Sequence, residues 1–336
     1  MNNALHGFVE QLHALAQRPT VAAEVKNING QALFAALLNN ELKAQAGEEG
    51  HRQADHVVGQ YFKAVLLCRK NELAAALAQL QQADGLLDSL PAVTVDFVTL
   101  FQLSAWGNYR YKTQEGDVGI ALLRRGLGIS ARLERQGFGP LIYRRIEQVQ
   151  NIANILFRQQ QVEAANQLLS NALTFVHTGR AQGLLLDDWD WATMRRVRTL
   201  QESTLEAVLS QLAAQNTQYM ADAVYHNEYY HRVFFRGLLQ ELETDTYNRV
   251  VLYNWLYAKN SYFERGAEEF LRNALEFLAD EAITAAYDVF KANLLAQAIW
   301  VSKQQATHRP ELIGSIQDFA ETTLVDRAGK AIRLVA

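Results

Sequence analysis

The chain has 336 residues, 49% hydrophobic and 20% charged, enough to bury a large core in one elongated domain or two compact ones. An aromatic content of 10% excludes a disordered chain, and a net charge of -4 sets nucleic acid aside as a partner, because such binders carry a basic balance. The single cysteine, Cys68, excludes an internal disulfide framework and a multi-cysteine zinc site, and it fits a reducing compartment.

The N-terminal residues, MNNALHGFVEQLHALAQ, have no basic leader, and Glu10, Gln11 and His13 interrupt any apolar run, so they read as a helix and not a signal peptide. No stretch approaches the roughly 18 continuous apolar residues of a membrane helix. These features predict a cytoplasmic protein without membrane association. Helices over 4–17 and 28–45 form an expected N-terminal hairpin, closed by a turn at Gly47-Glu48-Glu49-Gly50. Downstream, the four prolines Pro19, Pro91, Pro140 and Pro310 each interrupt an apolar pattern where a helix should begin or end. Between them, strong helix formers dominate and apolar residues recur at spacings of three and four, as in NELAAALAQLQQADGLL (71–87) and VEAANQLLSNALTFV (162–176).

Three segments share a plan: an apolar helix, a short polar break, then a helix with small residues seven apart. The small pairs are Ala76 and Ala83, Ala121 and Gly128, and Ala165 and Ala172, with a later copy at Ala267 and Ala274. Small residues let two helices cross closely. Residues 188–242 read as two or three further helices with Ser203 and Thr217 as N-caps, 281–305 as another, and 311–322 as a last short one. The final residues, TLVDRAGKAIRLV, alternate around Arg327-Ala328-Gly329-Lys330 and fit a short β-hairpin.

Three clusters invite a chemical reading. His226, Glu228 and His231 include carboxylate and imidazole, but histidines five apart on a helix are rotated by about 140°, so a polar rim on an aromatic helix is the plainer account. Asp187, Asp188 and Asp190 interleave with Trp189 and Trp191, the residue types of a sugar site, but acids followed by Arg195, Arg196 and Arg198 also describe a helix start. Gly126 and Gly128 lie inside a helical repeat, with no strand before them as a phosphate loop needs. No cofactor and no metal are expected.

The small residues seven apart in the second helix, preceded by a polar turn such as Gly116-Asp117, resemble the tetratricopeptide repeat family over about 60–290. The period of about 45 residues exceeds the family's usual 34. The resemblance implies an all-α fold, an α-α superhelix or solenoid of antiparallel hairpins. It divides the chain into a cap at 1–50, repeats at 51–290 and C-terminal capping helices at 291–336. It also implies a concave groove lined by the first helix of each repeat. Carried over position by position, the groove residues are Tyr61, Cys68 and Arg69, then Trp106 and Arg110, then Gln150, Asn154, Phe157 and Arg158, and last Arg249 and Lys259. The implied function is non-catalytic binding of a protein or peptide. An acidic partner is favoured, because residues 104–158 hold nine basic and four acidic residues, whereas 222–288 hold six and twelve. The alternatives are an all-helical enzyme using the His226 or Asp187 cluster, and a structural homo-oligomer.

Overall fold

The computed structural model describes residues 2–18, 30–218, 245–304 and 310–324. Every regular element among them is helical, thirteen α-helices and two short 3-10 helices, so the chain is all-α. None of the described helices is long and apolar enough to cross a membrane. The segment expected to form a C-terminal β-hairpin lies, from residue 325 onward, outside the described residues. The helices fall into two compact units, Ile28–Val208 and Met1–Asn27 with Leu209–Ala336. Positions 50 and 290, read from the sequence as boundaries, both lie inside helices.

The unit Ile28–Val208 contains α2 (Gly30–Arg69), α3 (Leu73–Asp84), α4 (Ala92–Lys112), α5 (Gly116–Arg135), α6 (Leu141–Arg158), α7 (Val162–Thr178), α8 (Trp191–Arg195) and the first part of α9 (Arg198–Gln218). From α2 to α7 each helix packs on the next. Pro91 and Pro140 stand immediately before α4 and α6, where a missing N–H leaves no helical bond unmade.

The connections from α2 to α3, α4 to α5 and α6 to α7 are one turn made three times. Asn71, Gln114 and Gln160 adopt left-handed backbone, with φ of 65°, 66° and 62°. The next residue in each case donates its N–H back into the preceding helix: Glu72 to the Leu67 carbonyl at 2.9 Å, Glu115 to Arg110 at 2.8 Å, and Gln161 to Leu156 at 2.9 Å. That bond closes a helix end and turns the chain so that the next helix runs back along it. A non-glycine residue in this region is strained by about 1 kcal/mol or more. Gln114→Gly is therefore expected to stabilise the chain by about 0.5–1 kcal/mol in urea unfolding. An unchanged or lowered midpoint would show that the exposed glutamine contributes more than its backbone strain.

These turns set the repeat register. Counting forward, the fifth residue after the left-handed one is Ala76, Gly119 or Ala165, and the twelfth is Ala83, Gly126 or Ala172; all six are buried. The second repeat thus uses Gly119 and Gly126 where the sequence suggested Ala121 and Gly128. Those two are exposed, and a Cβ at Gly128 would meet nothing within 4 Å. Ala121 and Gly128 lie two residues past the buried pair, because a small residue does not by itself tell which face of a helix it occupies. A Cβ on Gly119 would lie 3.0 Å from the Gly107 carbonyl oxygen, and one on Gly107 would lie 3.2 Å from Leu123.

Helix α2 is interrupted once. Gly47 takes φ 69°, ψ 174°, a conformation open in practice only to glycine. The turn expected over 47–50 contracts to this residue, and the helix resumes where Glu49 accepts hydrogen bonds from Arg52 and from Gln53, the latter at 2.7 Å. Before the break, Leu38 and Leu42 are buried in one apolar cluster with Val58, Phe97 and Phe138, and Phe34 packs against it. Gln45 donates to the Gln136 carbonyl at 3.0 Å.

The other unit contains α1 (Asn2–Ala16), the rest of α9, α10 (Tyr247–Arg265), α11 (Ala267–Ala279), α12 (Asp288–Gln304) and α13 (Pro310–Thr323). Helix α1 packs on α13 and α11, and α10 on α11. Trp255 and Phe290 are both fully buried, with ring centroids 4.6 Å apart. Ala267 and Ala274 are buried as expected, but Ala267 directly follows its turn at Gly266, so this hairpin does not keep the register of the first three. Ser203 and Thr217 are not N-caps: both lie within α9, and Thr217 donates its hydroxyl to the Ala213 carbonyl one turn back.

Candidate functional site

A cavity of about 720 Å³ lies within the unit Ile28–Val208, bounded by α2, α4, α5 and α6. Its lining follows the repeat register. The thirteenth residue before each left-handed turn residue is Val58, Phe101 or Glu147, and the sixth before is Val65, Asn108 or Asn154; all six face the cavity. Equivalent positions of three helices therefore converge on one space. The wall grades from apolar on α2 to polar on α6. The first part of α2, with Phe34, Leu38 and Leu42, supplies a further side. Phe62 and Leu66, also in the lining, remain 50% and 54% exposed, which is unusual for large apolar side chains one helical turn apart.

Arg144 is a buried cation in the cavity wall. It is 9% exposed, its guanidinium lies 5.2 Å from the centre of the Phe101 ring, and one Nη donates to Glu147 at 2.5 Å. Its Nε, and the Oδ1 of Asn108, are buried without a hydrogen-bond partner among the described residues.

The residues expected in a groove divide into three groups. Arg69 and Asn154 line the cavity, and Arg158 reaches its edge with the guanidinium 4.8 Å above Tyr111, a lining residue. Trp106, Arg110 and Gln150 are half-buried outside it. Arg110 is held by Glu115 at 2.7 Å and lies over the Trp106 ring; the hydrogen bond from Arg110 keeps the Glu115 carboxyl below its ordinary pKa. Tyr61 and Lys259 do not belong to the site. Tyr61 is 1% exposed, and its hydroxyl donates to Asp84 at 2.7 Å. Burial, with the Asp84 bond second, pushes its phenol well above the ordinary range. The same carboxylate accepts from Gln102 at 2.8 Å and from the Trp106 indole at 3.1 Å, so Asp84 ties α2, α3 and α4 together. Lys259 lies in the other unit and is 1% exposed, with Nζ bonded to Asn293 at 2.8 Å and Gln297 at 2.7 Å. Cys68 and Phe157 are likewise core residues, and burial raises the Cys68 pKa, which makes its thiol a poor nucleophile.

In the aspartate and tryptophan cluster, Asp188, Asp190 and Trp189 make structural contacts. Asp190 caps α8 by accepting from the Ala192 N–H at 2.9 Å. Asp188 receives Arg145 at 3.0 Å and Arg135 at 2.6 Å. Arg145, fully buried, also reaches Glu134 at 3.0 Å and stacks 3.9 Å from the centre of Trp189. Burial raises the Glu134 carboxyl to about 7, although Arg145 pulls it down. Asp188 and Asp190 are thus engaged in holding the fold, and Asp187 is exposed. The other chemical candidate, His226, Glu228 and His231, lies outside the described residues. Among the described residues no three His, Cys, Asp or Glu side chains gather as a metal site would need.

Arg144, Asn108, Asn151 and Phe62 were not among the residues expected from sequence. Their signal was present, since counting back from the three polar turns reaches the lining positions directly, but it needs the turn residue and not the small residue as the origin. No family model, curated protein or solved structure matches this chain, so its reading rests on the geometry of the cavity.

Proposed function

We propose that the unit Ile28–Val208 is a non-catalytic peptide-binding scaffold whose hairpins stack in the manner of tetratricopeptide repeats. The observation that carries this reading is the convergence of register-equivalent residues from α2, α4 and α6 on one cavity. A repeat that only stabilised itself would have no need to leave Phe62 and Leu66 exposed beside the polar wall of α6. Asn108, Asn151 and Asn154 suit the amide groups of a peptide backbone, and the apolar wall suits its side chains. An acidic partner fits the row Arg69, Lys112 and Arg158, the second residue before each left-handed turn residue.

Panning the full chain against a random peptide display library tests this. Enriched peptides should lose binding in the Asn108→Leu/Asn154→Leu double variant while its thermal melt still shows a folded chain. Arg69→Glu with Arg158→Glu should weaken acidic peptides by more than tenfold, since charge-assisted hydrogen bonds contribute roughly 1.5–3 kcal/mol each. That loss should shrink as salt is added. Peptides that bind the parent and the asparagine variant equally would place recognition elsewhere and sink the proposal.

A further inference from the structure

The cavity already shows what its apolar side accepts, because part of that side is a helix of the same chain. Residues 30–46 present Phe34, Leu38 and Leu42 to it, one turn apart along a single face. Leu38 is 4% exposed and Leu42 1%, so the face is seated and not merely close. Yet this segment is joined to the rest of α2 through one non-helical residue. Gly47 holds the glycine-only conformation that sets 30–46 off from the helix after it, and a Cβ there would meet nothing within 4 Å. The side-chain ties at the bend are exposed ones, Lys43 to Glu48 at 3.3 Å and Gln45 to the Gln136 carbonyl at 3.0 Å, and contacts of this kind hold a geometry only weakly. A helical Gly47 would straighten α2 and carry Leu38 and Leu42 away from Val58 and Phe97.

We infer that residues 30–46 are an exchangeable strap, an internal occupant of the binding face. The partner that replaces it is an amphipathic helix with large apolar residues at i, i+4 and i+8. This inference rests on the proposed peptide-binding reading and sharpens it, since it requires a helical ligand and makes the strap its competitor. The tether places the strap at an effective concentration of about millimolar, so an external helix of equal quality binds the parent chain weakly. Recognition of an apolar helical face in a groove is a recurrent binding mode with this spacing of anchors.

The strap itself is the probe. A fluorescein-labelled peptide GQALFAALLNNELKAQA, the sequence of 30–46, is titrated by anisotropy into the full-length chain and its Gly47→Ala variant. Alanine disfavours the bent form, so Gly47→Ala should bind the peptide at least tenfold more tightly than the parent. The peptide carrying serine at the Leu38 and Leu42 positions should not bind either chain. Equal binding by parent and Gly47→Ala, or binding of the serine peptide, would each overturn the inference. Should Gly47→Ala not fold, hydrogen exchange in the parent decides: strap amides must exchange at least tenfold faster than those of α4 and α6, and equal protection refutes exchangeability. If library peptides depend on Asn108 and Asn154 while the strap peptide neither binds nor competes, the scaffold reading stands and the strap inference falls. If the strap peptide binds and the asparagine variant retains every library peptide, the reverse holds.

Discussion

Leucine in place of Gly119 should destabilise the chain by about 3 kcal/mol, the upper end of what overpacking a core usually costs. The reason is the nature of the neighbour. A Cβ at this position would lie 3.0 Å from a backbone oxygen, that of Gly107, and 3.3 Å from Ile155. A carbonyl in the middle of α4 cannot rotate aside as a side chain can, so the two helices must separate and Leu123 must leave its place over Gly107. Gly128→Ala is the matched control. It lies in the same helix, exposed, with open space around its Cβ, and should stabilise the chain by about 0.5–1 kcal/mol through helix propensity alone. Urea unfolding of both variants checks the pair. Opposite signs support the register described above; a neutral Gly119→Leu would refute it.

Stability should rise by roughly 3–4 kcal/mol between pH 7 and pH 10 on account of Lys259 alone. Burial lowers its pKa to about 7, against an ordinary lysine value near 10.4 when unfolded. Within that interval the unfolded chain binds a proton that the folded chain does not, so each step up in pH favours folding. Below pH 7 both states carry the proton and the contribution levels off at its least favourable value. The neutral amine has two N–H bonds, and the Asn293 and Gln297 side-chain oxygens accept two. Lys259→Met leaves those oxygens without this donor, which lowers stability at every pH, but it should flatten the slope between pH 7 and 10. Equilibrium unfolding of parent and variant across that range separates the two effects. A parent and variant with parallel pH profiles would show that Lys259 stays charged in the folded chain.

Much of the helical layout was legible because its causes are local. Pro91, Pro140 and Pro310 mark helix starts, and the alanine pairs of the first and third hairpins mark crossings. In the second hairpin Gly119 and Gly126 compete with Ala121 and Gly128, both pairs being seven apart, and spacing alone does not say which pair is buried. The site was less legible. Tyr61 and Lys259 look like groove residues on a helix face, and only three-dimensional neighbours reveal that Asp84 holds one and the Asn293–Gln297 pair the other. Arg144 was overlooked beside Arg145, since adjacent arginines read alike in sequence. The fold sends one onto Phe101 at the cavity and the other onto Trp189 and Asp188.

The threefold turn at Asn71, Gln114 and Gln160 makes the hairpin a module with defined ends. Its closing bonds join backbone to backbone, so they ask little of the side chains around them. A chain spliced from one of these turns to another would gain or lose one whole hairpin, with its small residues and its cavity-facing positions still in phase. Length could change in steps of one hairpin without any residue learning a new neighbour type, which gives such a chain a route to longer or shorter ligands by duplication in place of redesign.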